Sequence, residues 1–341
     1  METQQTRGNA AWWVVLGVML GFGLPVMGLA VIIVAFGTAV GAVGDDGDDG
    51  LTEGDPARRI QKARLSGPKT GPAVAVVDIW GAIKRGEDGR PWDDDGDSTS
   101  SIAVVKLLEA ARQDDDVKAV LLRVNSPGGS VVASDEIYAA LLGLNKPVVA
   151  VMGEIAASGG VYVSMGASHV VAHPDTFTGS IGVIMSLATA EELLQKIGVR
   201  SHTIKSGKFK DIGNMARAPT DEERAQLQNL VEESYTRFVE IVAQSRKLSV
   251  DKVKAFADGR ILSGRQALAL GLVDALGTEK DGVAKAAELG GITGTPRLLQ
   301  FRGKRAFLED ILESTLRQVG RGLWETMRST AATPTAGLEY R

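Results

Sequence analysis

An alternation of strand-like and helix-like segments between residues 73 and 152 constrains the fold of this 341-residue chain most strongly. Short apolar runs alternate with segments in which apolar residues recur at helical spacing. In chain order they are strand 73–79, helix 102–111, strand 117–124, helix 131–144 and strand 147–152. Apolar strands joined by helices form parallel sheets covered on both faces. The pattern predicts an α/β fold whose ligand site lies at the carboxyl ends of the strands.

Later segments predict more helices. Thr220 and Glu223 have the spacing of a capping box, and a long helix is expected to follow them. Its apolar stripe, which should pack on the core, comprises Leu227, Leu230, Val231, Ser234, Tyr235, Phe238 and Val242. Beyond it, the segment 251–277 predicts two shorter helices with a turn at Asp258 and Gly259. The folded domain is expected to span residues 73–294.

The N-terminal region predicts a membrane anchor. Residues 11–44 carry no charge. This segment is longer than the about 20 apolar residues needed to cross a bilayer, whereas the apolar part of a cleaved signal peptide is only about 7 to 15 residues long. Arg7 precedes this span, and four aspartates follow it between positions 45 and 49. This order favours a single-pass membrane protein with residues 1–10 inside and the catalytic domain outside the cytoplasm. Residues 45–72 read as an exposed linker.

The tail, residues 295–341, predicts an amphipathic helix. Its apolar stripe comprises Leu308, Ile311, Leu312, Leu316, Val319, Leu323 and Met327, and the flanking basic residues are Arg305, Arg317, Arg321 and Arg328. Such a helix could lie on anionic lipid, pack on a neighbouring subunit or dock on its own domain. Gating or occupying a neighbouring site is one hypothesis for its role.

Composition excludes several functions. The net charge of −4 comes without a basic block, which argues against a nucleic-acid partner. The chain has no cysteine, so disulfides, thiolate metal sites and a cysteine nucleophile are excluded. The three histidines lack the spacing of a metal site, and no cofactor is expected.

Two glycine-bearing loops follow predicted strands, residues 125–130 and residues 156–160. Paired glycines allow backbone N–H groups to approach a bound group closely. Ser158, in the second loop, would begin the following helix, where N–H groups favour the negative charge of a tetrahedral intermediate. Ser158 is therefore the candidate nucleophile for acyl transfer.

The loop pattern does not identify the general base that would activate Ser158. His169, His173 and His202 show no triad signature, and a cluster of three lysines, Lys205, Lys208 and Lys210, is the alternative. A lysine base would need its pKa lowered from about 10.4 to about 7 or 8, which corresponds to roughly 4 kcal/mol supplied by burial. The cluster could equally be a solvated basic loop.

Motifs in a fixed order resemble those of the SppA-type signal peptide peptidases. They are Arg123-Val124-Asn125-Ser126-Pro127-Gly128-Gly129-Ser130, Ala156-Ala157-Ser158-Gly159-Gly160-Val161-Tyr162, Thr178-Gly179-Ser180-Ile181-Gly182-Val183, Lys205-Ser206-Gly207 with Lys210-Asp211, Asp258-Gly259-Arg260, and Gly271-Leu272-Val273-Asp274. The resemblance covers about residues 73 to 290. It implies a fold related to the ClpP and crotonase proteins, with repeated ββα-type units.

The resemblance also implies roles for five residues. Ser158 would be the nucleophile and Lys210 the general base of a Ser-Lys dyad, Ser180 would orient the lysine, and the N–H groups of Gly129 and Gly159 would form the oxyanion hole. The substrates would be signal peptide remnants left in the membrane and other hydrophobic or unfolded segments.

One copy of the motif set resembles the short form of the family, which implies a homo-oligomeric ring. Two alternative functions are a crotonase-like acyl-CoA enzyme and a catalytically silent membrane scaffold. The membrane span and Ser158 argue against the first, and the presence of both Ser158 and Lys210 argues against the second.

Overall fold

The computed structural model describes residues 60–86 and 98–303, and in these ranges the chain forms ten strands and eight helices. The strands are β1 (Ile60–Ser66), β2 (Ala73–Lys84), β3 (Ser98–Ser100), β4 (Val117–Gly129), β5 (Val148–Ala157), β6 (His169–Ala172), β7 (Phe177–Gly179), β8 (Ile261–Ser263), β9 (Ala275–Leu276) and β10 (Arg297–Gly303). The helices are α1 (Ser101–Gln113), α2 (Val131–Leu142), α3 (Gly159–Ser164), α4 (Glu191–Lys196), α5 (Asp221–Arg246), α6 (Val250–Lys254), α7 (Gly264–Leu270) and α8 (Glu279–Leu289).

The strands form one sheet in the order β1-β10-β2-β4-β5-β6-β9. Neighbours in this order are parallel except β1, which runs antiparallel to β10. The predicted strand and helix alternation is confirmed, and so is the α/β class with a mainly parallel sheet. The relation to the ClpP and crotonase proteins stays a prediction.

Apolar cores lie on both faces of the sheet. The larger core joins alternate strand residues to the helices α1, α2, α3 and α5, through side chains such as Leu107, Ile137 and Val161. The smaller core joins the intervening strand residues, such as Val76 and Leu121, to α8. This division follows from the alternation of side chains along a strand, which sends successive residues to opposite faces.

Strand β5 changes its neighbouring strand halfway along its length, and this change positions the site. The first half of β5 pairs with β6 from Val149 to Met152, and the second half pairs with β7 from Ile155 to Ala157. The register of β4 against β5 also shifts between Val124 and Ser126. The carboxyl-terminal parts of β2, β4 and β5 therefore continue past the first set of neighbours and carry both glycine-bearing loops.

The sheet extends beyond the predicted domain span of 73–294. Strand β1 falls in the segment predicted as linker, and β10 falls in the predicted tail, where it lies between β1 and β2. The predicted N-terminal segment 1–10 and membrane span 11–44 lie outside the described residues. Among the helices within the described ranges, none has the length and apolar character needed to cross a membrane.

The capping box at Thr220 and Glu223 is confirmed, and α5 begins immediately after Thr220. The predicted apolar stripe of α5 packs on the core only in the second half, where Phe238 and Val242 are buried. In the first half Leu230 is 48% exposed, because this part of the helix lies beyond the core. A groove there is lined by Leu227 and other residues of α5 and by the segment around Met185.

Candidate active site

Ser158 lies at the junction between β5 and α3 in a strained backbone conformation, with φ 52° and ψ −116°. Such a conformation is uncommon for a residue with a side chain and persists only where neighbouring structure enforces it. Its N–H donates to the Gly179 carbonyl at 2.9 Å, and its carbonyl accepts from Tyr162 at 3.0 Å. The hydroxyl makes no capping bond to α3, and the residue is partly exposed. The hydroxyl is therefore available to a substrate.

The first glycine loop lies directly against Ser158 and Gly159. A methyl group built on Gly128 would lie 2.6 Å from the Gly159 nitrogen and 2.8 Å from Ser158 Cβ. One built on Gly159 would lie 3.2 Å from the Gly129 nitrogen. Only glycine permits this approach, and Gly128 also has a φ of 103°. The structure thus brings Ser158 together with both backbone positions predicted for the oxyanion hole.

Two polar side chains hold this loop in place. The Ser126 hydroxyl is fully buried, donates to the Gly81 carbonyl at 2.6 Å and accepts from the Gly128 N–H at 3.1 Å. Asn125 Oδ1 accepts from the Ile155 N–H at 3.0 Å, across the shift in register between β4 and β5. Both residues belong to the motif at residues 123–130. Their supporting roles were not predicted, because their partners lie on neighbouring strands.

Ser180 lies close to Ser158 through the backbone. Ala157 pairs with Gly179, and the Ser158 N–H donates to the Gly179 carbonyl, so Ser158 and Ser180 each follow a residue of the same strand pair. Ser180 has a φ of 48°, and its N–H donates to the Arg260 carbonyl at 2.7 Å. Four of the five predicted site residues, Ser158, Ser180, Gly129 and Gly159, are therefore brought to one region.

Lys210 is not among the groups that contact Ser158 in this structure. It is exposed, in a turn where its N–H donates to the Gly207 carbonyl at 3.1 Å. The two other lysines of the cluster have partners: Lys205 Nζ lies 2.5 Å from Asp211 Oδ1, and Lys208 pairs with Glu222. Within the described residues, Lys210 is the lysine of this cluster whose ammonium has no partner.

Arg217 joins the turn that carries Lys210 to the start of α5, a feature the sequence did not reveal. Its guanidinium donates to both Glu223 oxygens, at 2.5 and 2.8 Å, and through Nε to Asp211 Oδ2 at 3.0 Å. Hydrogen bonds from Arg217, and then the Thr220 N–H, lower the pKa of Glu223 to about 2, and Arg217 followed by Lys205 lowers the pKa of Asp211. The capping-box pattern predicts the role of Glu223 from the sequence, but no sequence pattern predicts its ion pair with Arg217.

We expect Arg217→Ala to lower the melting temperature at pH 7 and to flatten its dependence on acid. Because the pKa of Glu223 lies below its ordinary value of 4.5, this pair stabilises the fold above pH 4.5, and the stabilisation falls as the pH drops towards about 2. Circular dichroism melts from pH 7 to pH 2 measure this. Arg217→Lys keeps the charge but loses the two-pronged geometry. Its melting temperature should lie between those of Arg217→Ala and the original chain. Identical melting curves for Arg217→Ala and the original chain would contradict the role.

The helix that begins after Ser158 is anchored by Tyr162. Its hydroxyl donates to Asp135 Oδ1 in α2 at 2.7 Å and lies 3.3 Å from Arg237 Nε in α5. Burial, with a smaller effect from Asp135, raises the pKa of Tyr162 to about 12. Two elements of the larger core thus hold α3, and with it the position of Ser158.

The histidines make other contacts. His169 Nδ1 lies 3.9 Å from Asp274 Oδ2, and His173 Nδ1 accepts from the Asp175 N–H at 3.2 Å. His202 is exposed. None of the contacts described for these three residues involves Ser158.

Comparison with known proteins identifies the family of this chain. The sequence model of peptidase family S49 matches residues 140–293, a range that includes Ser158, Ser180 and Lys210. The chain is 46% identical over 221 residues to the slr0021 protein of Synechocystis sp., covering 64% of this chain and 75% of that relative.

Two further relatives are longer proteins. Protease 4 of Salmonella typhi is 44% identical over 223 residues, which cover 64% of this chain and 35% of the relative. "Serine protease SPPA, chloroplastic" of Arabidopsis thaliana is 34% identical over 244 residues, which cover 70% of this chain and 36% of the relative. The matched part thus spans about a third of each of these two proteins. The chain belongs to peptidase family S49 and is a serine peptidase.

Proposed function

We propose that this peptidase is a membrane-anchored endopeptidase that cleaves hydrophobic or unfolded segments, including remnants of signal peptides, with a dyad of Ser158 and Lys210. The observation that carries the proposal is the strained Ser158 with the Gly128-Gly129 backbone packed against it and Gly159. Residues 11–44 would form the anchor and place the catalytic domain outside the cytoplasm. The relative from Enterococcus faecium named as a signal peptide peptidase supports the substrate class.

In the proposed reaction, Ser158 Oγ attacks the peptide carbonyl carbon while its proton passes to Lys210 Nζ. The carbonyl oxygen becomes an oxyanion that the N–H groups of Gly129 and Gly159 stabilise. The carbon–nitrogen bond then breaks, and Lys210 returns the proton to the leaving amine. Water hydrolyses the acyl ester by the same path, and Ser180 would orient the lysine throughout.

A lysine works as a base only when its amine is unprotonated, which requires removal from water or a positive neighbour. Lys210 is exposed in the single chain, so its cover has to come from elsewhere. The surrounding stretch, residues 184–215, exposes large apolar side chains that a soluble surface would seldom group together. They are Ile184, Met185, Leu187, Leu193, Ile197, Val199, Ile204, Phe209 and Met215.

A second copy of the chain is the cover that we propose for this stretch. The exposed first half of α5, including Leu230, adjoins it and would enlarge the contact. Association of copies would bury this apolar surface and exclude water around Lys210 in the same step. The proposed ring of copies would then be a condition for activity.

A fluorophosphonate probe should label Ser158 covalently and leave other serines unmodified. Only a serine made nucleophilic by a base attacks such a probe, and peptide mapping by mass spectrometry locates the adduct. The matched control is Ser234→Ala, which removes a hydroxyl that donates to the Leu230 carbonyl on α5 and should leave labelling unchanged. Labelling that survives in Ser158→Ala, or an unlabelled Ser158 in a folded protein that turns over an acyl-CoA, would overturn the proposal.

A further inference from the structure

A second groove, of about 1190 Å³, lies where β5 changes its neighbour from β6 to β7, and Ser158 does not line it. Its walls include the exposed rings of Trp80 and Phe177, which are 55% and 61% accessible, and the side chain of Ile155. Two exposed aromatic rings beside one concave surface are unusual where nothing covers them, and they typically mark a binding surface.

This groove continues the face of the smaller core. Asp78, Arg123 and Val151 line it, and each stands two residues after a strand residue of the smaller core. The start of α8, at Thr278 and Glu279, closes one side. Helix α3, which begins after Ser158, packs in the larger core on the other face.

The charged groups that line the groove are mainly acidic. Asp78, Glu154, Asp175 and Glu279 contribute carboxylates, and Arg123 is the only lysine or arginine in the described lining. Arg123 is paired with two of these carboxylates, with Nε 2.5 Å from Asp78 Oδ1 and Nη1 3.2 Å from Glu279 Oε1. Asp175 is paired with Arg265, whose Nη1 lies 2.5 Å from Asp175 Oδ1. Glu154 is the lining carboxylate for which the described residues provide no ion pair. An apolar partner that also carries positive charge would suit this lining.

Strand β10 ends beside this groove, and residues 304–341 follow it in the sequence. It runs parallel to β2 with Gln300 opposite Val76, so Gly303 ends about level with Ile79, beside the wall formed by Trp80. Gln300 Nε2 also donates to Asp78 Oδ2 in the groove at 2.7 Å. The sequence that continues from Gly303 is the predicted amphipathic tail, which combines an apolar stripe with several arginines.

We propose that residues 304–341 of the same chain dock in this groove, with the apolar stripe against Trp80 and Phe177 and the arginines towards the acidic lining. Three independent features carry this assignment: the exposed aromatic walls, the charge complementarity, and the point at which β10 ends. An amphipathic helix laid in an apolar groove uses anchors at spacings of three and four residues, which the stripe supplies. Docking of this kind does not depend on the proposed dyad or on the proposed ring.

Cysteine cross-linking tests the docking cleanly, because the chain contains no native cysteine. His173→Cys, at an exposed position of the groove lining, would be paired in the full-length protein with Leu312→Cys, Leu316→Cys or Val319→Cys and treated with a short bismaleimide. We expect an intrachain product, seen as a mobility shift without dimer on a denaturing gel, at least tenfold above that of the control pairs. The controls are Ser314→Cys, off the apolar stripe, with His173→Cys, and Leu316→Cys with Leu230→Cys on α5.

A charge reversal provides a second measurement. Glu154→Lys, in the groove lining, should lower the intrachain yield several-fold, whereas Glu240→Lys on the exposed side of α5 should not. Only interchain products would show docking on a second copy and overturn the proposal. Yields equal to those of the control pairs, or protection of the stripe cysteines only by anionic vesicles, would overturn it as well. Loss of activity in Ser158→Ala would leave every cross-linking result unchanged, so the two proposals fail separately.

Discussion

Ser158→Ala and Lys210→Ala are each expected to lower kcat for a hydrophobic fluorogenic peptide by about 10⁴- to 10⁶-fold, the range seen when one member of a catalytic unit is removed. In the proposed dyad, no acyl-enzyme forms without Ser158, and no group takes the serine proton without Lys210. Because the two residues act as a unit, the double variant should be no slower than the slower single variant. Melting temperature and assembly state, measured alongside, would show that each variant folds.

Lys208→Ala is the matched control, because it removes an ammonium two positions away that is paired with Glu222. It should retain kcat within a few-fold. Lys205→Ala is expected to act through Asp211 on the turn, with a larger change in stability than in kcat. An active Lys210→Ala beside an inactive Ser158→Ala would move the base to another lysine or a histidine, and an active Ser158→Ala would refute Ser158 as the nucleophile.

The sequence predicted those parts of the fold that depend on local patterns. The buried strands β2, β4 and β5 read as apolar runs, and the box at Thr220 and Glu223 marked the start of α5. Strand β1 escaped prediction because Lys62 and Arg64 interrupt its apolar pattern, as is common in a strand at the edge of a sheet. Its pairing with β10 joins residues more than two hundred positions apart, which no local pattern encodes.

The candidate site shows the same division. Glycine and serine spacing in the two loops located Ser158 and the backbone beside it, because such turns require particular residue types. The environment of Lys210 depends instead on Arg217, whose partners Asp211 and Glu223 come from two elements brought together by the fold. The groove beside Trp80 forms where β5 changes its neighbour from β6 to β7, so its lining residues are scattered in the sequence.

Gly129→Ala is expected to reduce both stability and catalysis severely. A methyl group on Gly129 would lie 2.1 Å from the Ile83 carbonyl oxygen and 2.7 Å from the Ile83 nitrogen, and both are backbone atoms of the neighbouring strand. Strands β2 and β4 pair at this point, so the methyl group fits only if the end of β4 moves away. Overpacking of this kind costs about 1 to 3 kcal/mol. The displaced Gly129 N–H should also lower kcat by about 10²- to 10³-fold, as does loss of one oxyanion donor elsewhere.

Gly143→Ala separates the steric effect from the general effect of replacing a glycine. Gly143 ends α2 with φ −81°, and an added methyl group would approach no atom closer than 3.7 Å, so this variant should be nearly neutral. Chemical denaturation measures the stability of both variants, and kcat is referred to the fraction of protein that the serine probe labels. Full stability and full kcat in Gly129→Ala would mean that the strand end adjusts freely, and would remove the Gly129 N–H from the oxyanion hole. Lower stability with an unchanged kcat per labelled site would also remove it, because the loop would then serve folding alone.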